Sequence, residues 1–110
     1  MLTISRITKD DQGRLTFQVT NQDGEGTYRT DQQGRGLWGL KTVHGLHGTG
    51  EYTEWNQILG TDQLDLTAGN ARAKIAHFFL DGDPDYENFL LKEGMKDSLT
   101  AVTKYLKAQK

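Results

Sequence analysis

The chain has 110 residues, a formal net charge of −2 and no cysteine. These facts exclude a disulfide framework, a thiolate metal site and a cysteine nucleophile, and they require any nucleic-acid binding to come from a local basic face. The length fits one domain over residues 1–110, large enough to bury roughly two-thirds of its unfolded surface.

Leu2 to Thr8 reads as a strand, followed by the turn Lys9-Asp10-Asp11-Gln12-Gly13. Leu15 to Thr20 is the clearest strand: Leu15, Phe17 and Val19 share one face, and Thr16, Gln18 and Thr20 share the other. Asp23-Gly24 is a good hairpin dipeptide, and Thr27 to Thr30 continues as a third strand. After Asp31-Gln32-Gln33-Gly34-Arg35-Gly36, Leu37 to Val43 reads as a fourth strand, with Gly39 as a weak point or bulge. His44 to Gly50 reads as a glycine-rich loop. Tyr52 to Gly60 fits two descriptions. Tyr52 to Trp55 suits a strand, whereas Trp55, Ile58 and Leu59 have helical spacing, with Thr53 as cap and Gly60 as stop. Leu64-Asp65-Leu66 alternates like a brief edge strand.

The remaining third has helical period. Thr67 is the expected cap of a first helix with the stripe Ala71, Ile75, Phe78 and Phe79, ended by Asp81-Gly82. Asp83 and Pro84 open a second helix with an apolar face of Tyr86, Phe89 and Leu90, and Gly94 stops it. Asp97 is the expected cap of a third, burying Leu99, Val102 and Leu106, with Lys104, Lys107 and Lys110 towards its negative end. The resulting class is α+β: an antiparallel meander of three to five strands packed against two to three C-terminal helices. No internal repeat is apparent. Phe17, central in the best strand, and Phe79, on the best helical stripe, are expected in one core.

Short motifs carry little chemistry. Gly34-Arg35-Gly36-Leu37-Trp38-Gly39 spells a dinucleotide fingerprint but lacks the strand–helix context that would aim a helix N-terminus at phosphate, so a turn explains it. Asp81-Gly82-Asp83-Pro84-Asp85 starts like a calcium loop, yet the positions for the required Gly and Glu hold Tyr86 and Lys92. His44 and His47 with Glu51 offer imidazole and carboxylate without zinc-site spacing. Folding is therefore expected to need no metal, and no cofactor is expected.

Functionally, the sequence points to Tyr28–Trp55. Trp38, Tyr52 and Trp55 lie in or beside its least regular segment, close to Arg29 and Arg35. Aromatics and arginine dominate binding hot spots, although tryptophans also fill cores. The expected function is a non-catalytic module that binds a protein partner or its own copy through Arg29, Arg35, Trp38, Tyr52 and Trp55. The alternatives are a small-molecule or catalytic pocket built from His44, His47 and Glu51, and a nucleic-acid-binding sheet face. Acidic neighbours, Glu25, Asp31, Glu51 and Glu54, weigh against the last. The N-terminus lacks a signal-peptide profile, and no apolar run is long enough to span a membrane. A cytoplasmic location without membrane contact is expected, and a cysteine-free chain suits a reducing compartment.

Overall fold

The computed structural model describes residues 1–45 and 50–109. Among the described residues, six strands form one antiparallel sheet and three helices follow it, an α+β fold. The strands are β1 (Thr3–Ile4), β2 (Thr8–Lys9), β3 (Leu15–Asn21), β4 (Gly24–Arg29), β5 (Leu37–His44) and β6 (Glu51–Leu59). The helices are α1 (Ala71–Phe79), α2 (Pro84–Glu93) and α3 (Leu99–Ala108). The sheet order is β1-β3-β4-β5-β6, with β2 also paired to β3. No helix among the described residues is long and apolar enough to cross a membrane.

The inner face follows from the alternation of β3. Phe17 and Val19 are buried beside Ile4, Leu37, Ile75, Leu80 and Val102. Tyr28, opposite Phe17 in the register, links sheet to helix. Its ring lies 6.1 Å from that of Phe17 and 4.9 Å from that of Phe79, so both phenylalanines join one core. Backbone carbonyls of the first strand region accept from the helices: Arg72 Nη1 reaches Ile4 O at 2.6 Å, and Gln109 Nε2 reaches Leu2 O at 3.0 Å.

Two turns with the shared pattern Asp-x-Gln-Gly-Arg repeat one geometry, a likeness that a search for longer repeats passes over. In Asp10–Arg14, Asp10 Oδ1 accepts from the backbone N–H groups of Gln12 (2.9 Å) and Arg14 (2.8 Å). In Asp31–Arg35, Asp31 Oδ1 accepts from Gln33 (2.8 Å) and Arg35 (2.9 Å) in the same way. The glycine of each turn has positive φ, 87° at Gly13 and 77° at Gly34, which an L side chain adopts only with strain. Gln32 Nε2 donates to Gln12 Oε1 at 3.5 Å, setting the turns side by side.

One open alternative is resolved and three local expectations change. Residues 51–59 are strand rather than helix, because β5 offers a continuous partner from His44↔Glu51 to Leu37↔Leu59, with an irregularity at Leu37/Trp38. An isolated helix of that length would be marginal. His44 belongs to β5 rather than to a loop. Thr67 does not cap α1, because its N–H and hydroxyl both bond Asp65 Oδ1; Asn70 takes the position without a side-chain bond. Ser98 caps α3 in place of Asp97, whose carboxylate is held by Tyr86 and His77.

Candidate functional site

The sheet face opposite the helices is where the candidate residues meet. The register aligns Thr8, Thr16, Arg29, Trp38 and Gln57 across β2, β3, β4, β5 and β6. Trp55, opposite Leu40, is one step along on the same face. The Arg29 guanidinium carbon sits 4.0 Å from the centre of the Trp55 ring, a cation–π stack. Trp38 leans the other way, over Gly36: a Cβ built there would lie 2.7 Å from the Trp38 ring, at a φ of 72°. Glycine lets the indole come close to the backbone.

Together with the two turns, these side chains border an open groove of about 530 Å³, lined by Arg14, Arg29, Thr30, Asp31, Trp38 and Trp55. Gln32 and Gln33 form its amide rim. Burial, and next the neighbouring charge of Arg14, pull the pKa of Arg29 down, against a smaller upward pull from Asp10. Among the described residues, neither Arg14 nor Arg29 makes an ion pair. The acid in the lining, Asp31, has its Oδ1 committed to backbone amides. The groove therefore presents two guanidiniums and two indoles, the guanidiniums without an ion-pair partner among the described residues.

Of the residues expected from sequence, Arg29, Trp38 and Trp55 converge here. Arg35 does not: it bridges to Asp65, with Nε 3.5 Å from Oδ2, and fastens its turn to the segment before α1. Tyr52 is 55% exposed, but alternation puts it on the reverse side of β6 from Trp55. His44 and Glu51 face each other at the far end of the β5–β6 hairpin, 3.4 Å apart and both well exposed, and neither lines the groove. His47 lies outside the described residues. Among the described residues no group of three or more His, Asp or Glu is placed to hold a metal ion.

Arg14 was missed by sequence reasoning. The period-two pattern of the best strand, extended one step back from Leu15, would have placed it on the face of Thr16. A second feature was missed entirely. The Tyr86 hydroxyl donates to Asp97 Oδ1 at 2.6 Å, and His77 Nε2 lies 3.0 Å from the same oxygen, beside an open cleft of about 910 Å³. Burial first, then the Asp97 hydrogen bond and charge, push the Tyr86 phenol up to about 12, and the Tyr86 hydrogen bond foremost holds Asp97 below its ordinary value. Ser98, the nearest hydroxyl in sequence, is occupied in capping α3.

No protein-family model matches the chain, and no curated protein or solved structure is measurably similar to it.

Proposed function

We propose that the chain is a non-catalytic interaction module whose open sheet face binds an acidic segment of a partner protein. The observation that carries this reading is the Arg29–Trp55 stack beside Arg14 and Trp38, with no ion pair to either arginine and no helix over the groove among the described residues. Stacking holds the guanidinium plane in place while its edge stays free to donate to a carboxylate in a two-pronged arrangement. Pre-ordering of this kind reduces the side-chain entropy lost on binding. Trp38 adds a broad apolar platform at small entropy cost.

A carboxylate-bearing protein is favoured over nucleic acid by charge. Strong phosphate binding draws on many cations along a track. Here Arg14 and Arg29 stand against Asp31 in the groove, and the same face carries Glu25 and Glu51 nearer its ends. The Tyr86–Asp97–His77 chain is accounted for by its structural work. Its hydrogen bonds suffice to satisfy a buried phenol and to tie α1 to the start of α3.

The test is an array of immobilised peptides graded in Asp and Glu content, with a thymidine oligonucleotide alongside. Binding is expected to rise with acid content and to be lost in Arg14→Ala and Arg29→Ala, both still folded. Binding indifferent to acid content, or a preference for the oligonucleotide, would overturn the reading.

A further inference from the structure

The outer edge of β6 has no strand beside it among the described residues; its one neighbour is β5. The β4–β5 ladder runs from Arg29↔Trp38 only as far as Tyr28↔Gly39, so the rest of the β5–β6 hairpin projects beyond the core in a molecule with extents of 52 × 30 × 24 Å. Leu40, Tyr52 and Ile58, at 40%, 55% and 42% exposure, all lie on this hairpin. An unpaired strand edge is a template for another strand, and proteins usually blunt it with proline, lysine or coverage. β6 has neither proline nor lysine, and its one irregularity, Ile58 left without a partner on β5 between Gln57 and Leu59, lies near its end. Of its two acids, Glu51 lies 3.4 Å from His44, and Glu54 stands opposite Lys41 in the register.

We infer that β6 pairs antiparallel with β6 of a second copy, about a two-fold axis at Trp55. The sequence Glu51-Tyr52-Thr53-Glu54-Trp55-Asn56-Gln57-Ile58-Leu59 is self-complementary in that register. Tyr52 meets Ile58 of the second copy, joining the two exposed apolar side chains of the strand. Thr53 meets Gln57, Glu54 meets Asn56, and no two like charges stand directly opposite, an arrangement that cross-strand pairing favours. The backbone agrees. Gly45 N–H donates to Gly50 O at 2.6 Å. Counting in alternation from that bond, the amides of Thr53, Trp55 and Gln57 point away from β5 towards the free edge. Pairing there satisfies them and closes the assembly at two copies, because the same edge serves both. It also makes one continuous outer face with the two Arg29–Trp55 stacks on either side of the axis. The inference stands on the edge and its register and does not depend on what the groove binds.

Edge pairing alone makes a small interface, so the dissociation constant is expected between about 1 μM and about 1 mM. Sedimentation equilibrium across that range should show monomer and dimer with nothing larger. Thr53→Pro removes an outward amide that β5 does not use, and Ile58→Lys breaks the Tyr52 contact. Each should weaken the dimer about tenfold or more while the far-ultraviolet circular dichroism stays that of the parent. Because the chain has no cysteine, the register is open to cross-linking. Under mild oxidation Trp55→Cys should form a covalent dimer, and Thr53→Cys, set well off the axis, should not, because a disulfide needs Cα atoms within about 7 Å. A monomer at every concentration, larger assemblies, a dimer unaffected by both folded variants, or equal cross-linking of the two cysteine variants would overturn the proposal. So would a monomer whose β6 amides gain exchange protection only when foreign protein is added.

Discussion

The two faces of the sheet come from the same strands and do opposite things. In β3 the inward residues Phe17 and Val19 are 3% and 2% exposed, whereas Gln18 and Thr20, which alternate with them, are open to solvent. In β4, Tyr28 turns inward to meet Phe79, and its neighbour Arg29 turns outward to stack on Trp55. One step of backbone therefore separates a residue that holds the fold from one that is free to bind. Aromatic rings serve on both faces, but inside they meet other rings, and outside Trp55 meets a guanidinium and Trp38 the backbone at Gly36. An aromatic residue in this chain cannot be assigned to core or surface by type; its place in the alternation decides where the sheet is covered, and Tyr52, beyond that cover, is exposed on the inward side.

Breaking the inner face should have the largest effect. Phe17→Ala is expected to destabilise by about 3–5 kcal/mol, measured by chemical denaturation, and to abolish binding only through unfolding. Gly36→Ala should follow at about 1–3 kcal/mol, because a side chain at that φ is strained and its Cβ would strike the Trp38 ring. This variant joins the faces: a stability loss should come with a changed Trp38 fluorescence spectrum. Tyr86→Phe should cost roughly 1.5 kcal/mol, the low end for a hydrogen bond to a charged group, because Asp97 is open to solvent and keeps His77 as a partner.

The same network sets two pH limits. The Tyr86 pKa is raised to about 12 from an ordinary 10.0. Its contribution is thus complete below the unfolded value and is lost as pH rises through the folded one. Asp97 is lowered, so its contribution is present above the unfolded value, about 3.9, and is lost as pH falls through the folded one. Thermal melts from acid to alkali should show the parent losing stability at both ends, with the alkaline loss reduced in Tyr86→Phe.

Much of this division could be read from the residues. The alternation in Leu15–Thr20, the Asp83–Pro84 helix start and the Gly94 stop are local signals, and local hydrogen bonds realise them. Signals failed where a side chain had a distant competitor. Thr67 and Asp97 look like caps, but Asp65 takes the first, and Tyr86 with His77 takes the second. Residues 51–59 were ambiguous because Trp55, Ile58 and Leu59 suit a helix, and only the long pairing with β5 decides for a strand. In the candidate site, Arg29, Trp38 and Trp55 were legible as residue types near one another. That Arg14 joins them and Arg35 leaves depends on cross-strand register and on Asp65, which no local spacing reports.

The smallest expected stability effect bears most directly on the central claim, that the outer face is built for binding and not for holding the fold. Arg29→Ala should be followed by denaturation and by peptide binding in the same preparation. The account predicts a stability within about 1 kcal/mol of the parent, as for most surface substitutions, together with loss of acidic-peptide binding. A loss of stability comparable to that of Phe17→Ala, with binding by the remaining folded protein unchanged, would contradict it and return the Arg29–Trp55 stack to the architecture of the fold.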